Sequence, residues 1–273
     1  LLLFCKKEGL ALTFTEDEIH RYSRHILLDE VGSTGQDKLR RASVLIAGAG
    51  GLGAPLALYL AAAGVGRIGI VDDDHVELSN LQRQIAHTQA SIGTAKASSA
   101  AAAMAAINPL VRVDAHILRI DAGNADALVA AYDIVCDGTD NFTARFAVAD
   151  AAWRAGRTLV SAAVLRFDGQ LSTFRPGLSA DGAPNPCYRC LTPAPPPDGL
   201  VPSCAQAGVL GPVTGVMGTL QATEVLKEIL GIGQSLAGRV LMWDALAVRF
   251  SMIRLRADPG CPGCGAHGGA AQK

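Results

Sequence analysis

The sequence predicts an α/β fold: a doubly wound, mostly parallel sheet with helices on both faces, continued by antiparallel strands. Three observations predict it. Short apolar runs alternate with helical stretches through about residue 165, the pattern of parallel strands joined by crossover helices. A glycine-rich loop separates the first run from the helix after it, as in Rossmann-like sheets. Beyond residue 165 the apolar positions of 169–175 and 239–255 alternate, as antiparallel strands do.

In chain order, residues 15–30 have helical spacing, and Thr15-Glu16-Asp17-Glu18 reads as a capped start. Residues 43–47 form a short apolar run suited to a buried strand, and 54–63 have helical composition. A second strand over 67–71 ends in Asp72-Asp73-Asp74. The alanine-rich stretch 96–107 reads as a packed helix, because its propensity is high and Asn108-Pro109 stops it. Residues 111–118 are a third strand, 128–132 close another helix, and 133–137 and 158–164 are the fourth and fifth strands. Residues 176–210 form a long loop rich in Pro and Gly, with Pro193-Ala194-Pro195-Pro196-Pro197 inside it, and 211–230 return to helix. A loop of that length is usually functional.

Composition narrows the function. Of 273 residues, 49% are apolar and only 18% charged, enough for a large core. The 24 basic and 25 acidic residues leave a formal charge of −1, so no phosphate-tracking surface is expected and nucleic acid is excluded as the main partner. No apolar run approaches the roughly 18–20 residues of a membrane helix. The opening Leu1-Leu2-Leu3-Phe4-Cys5 lacks the basic stretch of a signal peptide, so a cytoplasmic location is expected.

Gly48-Ala49-Gly50-Gly51-Leu52-Gly53 fits G-x-G-x-x-G between a strand and a helix. Glycines let the backbone approach a phosphate, and the helix start offers free N–H groups. Asp72, ending the next strand, suits ribose hydroxyls. By itself this pattern favours NAD or FAD. The following residues turn it towards ATP. Ser79-Asn80-Leu81-Gln82-Arg83-Gln84 carries a fixed cation, Lys96 opens a helix, and Asp140-Asn141 follow the fourth strand. Two cations, a carboxylate and a glycine loop suit a triphosphate with Mg2+. Hydride transfer needs none of these.

Seven cysteines are present, and four form the pairs Cys187/Cys190 and Cys261/Cys264. Two Cys-x-x-Cys knuckles make a four-thiolate Zn2+ site with no position open for catalysis. Cys136, inside an apolar strand, reads as core, and Cys5 as incidental. None of the six histidines falls in a triad or metal spacing.

Arg21-Tyr22-Ser23-Arg24-His25, the glycine loop, residues 79–84, Thr139-Asp140-Asn141 and both knuckles stand in the order of the MoeB/ThiF/HesA family. The chain resembles that family over about residues 15–265. The resemblance implies an adenylyltransferase. It would use Mg-ATP to adenylate the C-terminal Gly-Gly of a small β-grasp, ubiquitin-like sulfur carrier of the MoaD or ThiS type, releasing pyrophosphate and priming a thiocarboxylate. It also implies residue roles. Gly48, Gly50, Gly51 and Gly53 form the nucleotide loop and Asp72 binds ribose. Ser79, Asn80, Leu81, Gln82 and Arg83 line the site, and Lys96 contacts phosphate. Asp140 is the magnesium and catalytic carboxylate, with Asn141 beside it. Arg24 enters a partner subunit's site, which implies a homodimer. Cys204 matches a cysteine that some members link covalently to the carrier.

The expected organisation is an extension over 1–14, one adenylating domain over 15–265 and a tail over 266–273. The nucleotide-binding half covers about 15–165, and the partner-binding half, with the long loop and zinc site, about 166–265. No sulfurtransferase domain follows Cys264 in this sequence, so sulfur is expected from a separate cysteine desulfurase or rhodanese. Asp73 stands where the family pattern has an apolar or aromatic residue, and the Pro-rich stretch is long for that pattern. Two other classes compete: an NAD(P)-dependent oxidoreductase, which ATP–pyrophosphate exchange would eliminate, and a non-catalytic carrier-binding scaffold, against which Asp140, Arg83, Lys96 and Arg24 argue.

Overall fold

The computed structural model describes residues 14–179, 182–197 and 207–265. The chain enters through two short helices, α1 (Glu16–Arg21) and α2 (Ser23–Ile26). Thr15 caps α1: its Oγ1 accepts from the Glu18 N–H at 3.2 Å, and the Glu18 carboxylate accepts from the Thr15 N–H at 2.8 Å. The single helix expected over 15–30 is therefore broken. Tyr22 breaks it, because its buried ring lies against Gly64 and its hydroxyl accepts from Asn108 Nδ2 at 2.9 Å. A third helix, α3 (Gly32–Arg41), follows, which the sequence reading left unassigned. Its Gly-Ser-Thr-Gly start is a poor helix former. Tertiary contact holds it: Leu39 is buried, and buried Gln36 donates to the Ala63 carbonyl at 2.9 Å.

Then come β1 (Ser43–Ala47), α4 (Gly53–Ala63), β2 (Arg67–Val71), α5 (Lys96–Ile107), β3 (Arg112–His116), α6 (Ala125–Ala130), β4 (Ile134–Asp137), α7 (Phe142–Arg154) and β5 (Thr158–Leu165). These five strands pair in parallel. The chain continues with β6 (Asp168–Phe174), α8 (Tyr188–Leu191), α9 (Gly211–Leu230), β7 (Arg239–Asp244) and β8 (Arg249–Arg254). The last three strands join the same sheet antiparallel, giving the order β3-β2-β1-β4-β5-β6-β7-β8. The expected parallel sheet with an antiparallel continuation is thus present.

Side-chain alternation in the central strands divides the core between the two faces. Val44, Ile46 and Cys136 join one cluster with α4, α5 and α9; Leu45, Ala47 and Val135 join the other with α6 and α7. Helix α4 packs most of its surface against α5, α9 and the sheet and exposes only Tyr59 and Ala62; Leu56 and Leu60 are fully buried. Each such leucine contributes about 1.5–3 kcal/mol on burial. Cys136 is core as expected, and burial raises its thiol pKa far above the ordinary range, so it is neutral and inert. Among the described residues, no helix is long and apolar enough to cross a membrane.

The order of the sheet positions the site. From β1 the chain crosses to β2 on one side, and later to β4 on the other. The loops after β1 and β4 therefore part at the carboxyl edge and leave a crevice between them, where open α/β sheets take ligands.

Candidate functional site

Both crevice loops are built from small residues for a steric reason. Gly48 has φ +96°, and a β-carbon there would come within 3.0 Å of the Gly138 carbonyl in the loop after β4. A β-carbon on Gly53 would overlap the Gly48 carbonyl. The glycine loop and the Gly138–Asn141 loop are in contact, so the glycines and Asp140 share one crevice.

Three segments brace the glycine loop. Asp72, at the end of β2, accepts from the Ala49 N–H at 2.7 Å and from the Asp74 N–H at 2.9 Å. Burial raises the Asp72 pKa above the usual carboxylate value, against the pull of those two N–H groups and Lys96. Each of its oxygens keeps a lone pair for a hydroxyl donor. His87 is buried; its Nε2 lies 3.0 Å from the Ala49 carbonyl and its Nδ1 2.9 Å from Ser99 Oγ in α5. A carbonyl only accepts, so Nε2 carries the proton and Nδ1 accepts from the serine. Burial lowers the His87 pKa and keeps the ring neutral. Finally, the amino end of α9 closes on the crevice, with Thr214 against Gly51 and Gly211 against the Gln82 carbonyl.

The polar segment lies on the opposite wall. Asn80 is buried and accepts from the Glu77 N–H at 3.0 Å, while Ser79 donates to the Glu77 carboxylate at 3.2 Å. Arg83 folds back to donate to the Ser79 carbonyl at 3.1 Å. Leu81 is half-buried and Gln82 exposed. Lys96, the first residue of α5, is buried and pairs with Asp74 at 2.8 Å. The lysine is thus desolvated, with its ammonium held by one carboxylate. Asp73 is exposed, so a carboxylate in place of an apolar residue disturbs no packing.

Asp140 is exposed at the crevice, and among the described residues its carboxylate is unpaired. Its neighbours are tightly held. Asn141 is the N-cap of α7, its Oδ1 accepting from the Ala144 N–H at 2.8 Å. Thr139 donates through N–H and Oγ1 to Asp137 Oδ1 at 3.0 and 2.6 Å. Asp137 is fully buried; Ser161 donates to its Oδ2 at 2.7 Å and Arg145 Nε stands 3.0 Å from the same oxygen. Arg145 also donates to the Thr139 carbonyl. Sequence reasoning missed His87, Asp137 and Arg145. His87 and Asp137 depend on partners far along the chain, Ala49 and Ser161, and Arg145 acts on Thr139 and Asp137 only once both are folded into the loop.

Two expected residues stand apart. Arg24 is exposed on α2, two residues from Tyr22, which packs on Gly64 at the carboxyl end of α4. The glycine loop is at the other end of that helix, about 16 Å away at 1.5 Å per residue. Cys204, like Cys5, lies outside the described residues.

The four knuckle cysteines converge. Cys187 and Cys261 Sγ are 3.5 Å apart, Cys190 and Cys264 3.4 Å, Cys187 and Cys190 4.0 Å, and all four lie within 4.8 Å of one another. A tetrahedron of thiolates about 2.3 Å from a zinc ion has edges of about 3.8 Å. The Asp258 and Gly263 N–H groups point at Cys190 and Cys261 sulfur at 3.4 and 3.3 Å, as suits anionic ligands. The donor set fits zinc.

A cleft of about 600 Å³ lies elsewhere, at the amino ends of β4 and β5. Its charges are already engaged: Lys38 on the Leu230 carbonyl, Arg41 on Asp37 and Arg175 on Glu228.

The crevice and the thiolate cluster agree with what the chain is similar to. The ThiF family model matches residues 22–263. The chain belongs to the ThiF family. It is 49% identical over 255 residues to the sulfur carrier protein adenylyltransferase of Thermus thermophilus, covering 93% of each chain. To the SAMP-activating enzyme E1 of Haloferax volcanii it is 46% identical, covering 95% of this chain and 93% of that one. To the probable adenylyltransferase/sulfurtransferase MoeZ of Mycobacterium tuberculosis it is 49% identical and spans 64% of that protein's length. Among solved structures, Escherichia coli MccB with ATP superposes with a TM-score of 0.77 at 23% identity, over 89% of this chain and 74% of that one, which shows the shared ThiF fold.

Proposed function

We propose that this ThiF-family chain is an adenylyltransferase that activates the C-terminal glycine carboxylate of a small β-grasp sulfur carrier with ATP. The observation that supports it is the contact between the glycine loop and the loop carrying Asp140 at the point where the strand order reverses, with Lys96 and Asp74 paired beside Asp72, which itself holds the Ala49 N–H. The names of its relatives, sulfur carrier protein adenylyltransferase and SAMP-activating enzyme, point the same way.

In this reading Gly48, Gly50, Gly51 and Gly53 cradle the phosphates, Asp72 holds the ribose, and Ser79 to Arg83 flank the nucleotide. The carrier's carboxylate, ionised at neutral pH with a reference pKa of about 3.5, attacks the α-phosphorus. A carboxyl–phosphate bond forms, the α–β phosphoanhydride bond breaks and pyrophosphate leaves. No general base is needed. The chain's task is to bring two anions together and offset the charge growing on phosphate, which Lys96 and Arg83 do by position. Asp140, exposed and unpaired, is the residue to hold Mg2+, which when bound supplies further charge neutralisation. Asn141 serves the site as the N-cap that orients Asp140.

Arg24 completes the site of a second subunit in a homodimer, a reading supported by its distance from its own chain's glycine loop. Zinc held by Cys187, Cys190, Cys261 and Cys264 is structural. Cys204 is the residue for a covalent link to the carrier. The hairpin β7–β8 offers the exposed apolar surface that a protein substrate needs, through Val248, Phe250 and Ile253.

ATP–pyrophosphate exchange with a β-grasp protein ending in Gly-Gly tests the reading. Asp140→Ala is expected to lower exchange by about a thousandfold, with zinc content and thermal unfolding unchanged. Exchange that survives this change overturns the assignment of Asp140, and no exchange by the wild type with any such carrier overturns the function.

A further inference from the structure

The loop that carries Asp140 is braced from an unexpected direction. The two residues enclosed by the first cysteine pair, Tyr188 and Arg189, do not point to solvent. Both grip α7, the helix whose first turn begins at Asn141. Arg189 makes a forked ion pair with Asp150, Nε to Oδ1 and Nη2 to Oδ2, each at 2.7 Å. Its guanidinium also lies over the Phe146 ring, 4.7 Å from the centroid. Tyr188 is buried and meets Phe146 edge-on at 5.4 Å and Phe174 at 5.5 Å.

Arg145 is the last link. It is nearly buried, stands against Asp137 and donates to the Thr139 carbonyl, one residue before Asp140. Contacts therefore lead from Cys187 and Cys190 through Tyr188 and Arg189 to Phe146 and Asp150 on α7, and Arg145 of the same helix donates to the Thr139 carbonyl, next to Asp140. A forked arginine–carboxylate pair and close ring contacts fix direction as well as distance. Helix α8, with only four residues, has no rigidity of its own. The thiolate cluster supplies it by tying both ends of α8 to Cys261 and Cys264.

We propose that the four-cysteine knuckle is a positioning device for the catalytic loop: it sets Tyr188 and Arg189 so that they clamp α7 and hold Asp140 in register with the glycine loop. Tyr188 and Arg189 are positioning residues, since neither borders the crevice. The proposal rests on the adenylation reading for its kinetic consequence, but not for its structural one.

The experiment uses the zinc-loaded full chain and two variants, Tyr188→Leu and Arg189→Gln. In both, hydrogen–deuterium exchange of the backbone across residues 138–146 is expected to quicken while zinc stays bound one per chain. Substituting cobalt should give the same thiolate charge-transfer band as the wild type. The turnover number for pyrophosphate exchange is expected to fall about tenfold, the scale on which small misplacements act. The Mg2+ concentration for half-maximal rate should rise, with KM for ATP little changed. Tyr188→Phe, which keeps both ring contacts, is expected to recover most of the rate. If Tyr188→Leu does not fold, Arg189→Gln carries the test, because its ion pair is partly exposed. The proposal is overturned if zinc-loaded variants show wild-type protection over 138–146 and unchanged Mg2+ dependence. The exchange measurement needs no substrate, so failure of the adenylation reading, seen as an inactive wild type, is separable from failure of the clamp.

Discussion

His87 shows how far a single residue's role can lie from its sequence context. No triad, no metal spacing and no charge partner marks it, yet it joins the glycine loop to α5 through two hydrogen bonds. Its acid–base behaviour follows. The unfolded chain protonates His87 near the reference value of about 6.5, while burial holds the folded value lower. Between the two, the unfolded state binds more protons, so stability rises with pH in that window and is lost as pH falls from about 6.5 towards the folded value. Urea unfolding should therefore show the wild type losing more stability than His87→Gln between pH 7.5 and 5.5. Parallel losses would exclude this role. The strand-end positions of Asp72 and Asp140 were legible beforehand, because each follows an apolar run that reads as a buried strand. Asp137 and Arg145 were not, because their work is to hold Thr139, and nothing local in the sequence says that a buried ion pair will form there.

At the scale of elements, strands and crossover helices read well where composition and period agree. The long apolar helix α4 and the alanine-rich α5 are where the residues place them. The failures have one cause, tertiary contact overriding local preference. Tyr22 ends α1 early to reach Asn108, and α3 forms from glycine-rich sequence because Leu39 and Gln36 find buried partners. Helix α8 was hidden in a proline-rich stretch and exists to present Cys187 and Cys190. The β7–β8 hairpin carries a local conflict that predicts its own remedy. Val248 is β-branched yet has φ +52°, and its side chain is 76% exposed. Little burial offsets the left-handed backbone. Val248→Gly should stabilise the chain by about 1 kcal/mol, read as a higher urea midpoint at unchanged slope. A lower midpoint would mean that the valine is packing where none is visible.

At the scale of the molecule, the sheet changes from parallel to antiparallel at β5–β6, and the thiolate cluster ties the chain after β8 back to the segment after β6. Both the change of direction and the four ligands were legible, since alternation and Cys-x-x-Cys spacing are local signals. The grip of that cluster on α7 was not, because Asp150 and Arg189 are distant in sequence. Removing the metal should therefore do more than free the tail. A chelator-treated sample is expected to melt at lower temperature and to regain the original melting curve on adding zinc, whereas an unchanged curve would leave the cluster without structural weight. The far side of the sheet has a different consequence, one of colloid chemistry. β8 ends the sheet with all six residues exposed, Phe250, Met252 and Ile253 among them. A net charge of −1 supplies almost no repulsion between molecules. Arg249 and Arg254, at the two ends of β8, are then the main barrier to strand-to-strand pairing between copies. Concentrated solutions of this protein will therefore depend on how well that one ribbon is kept from its copies.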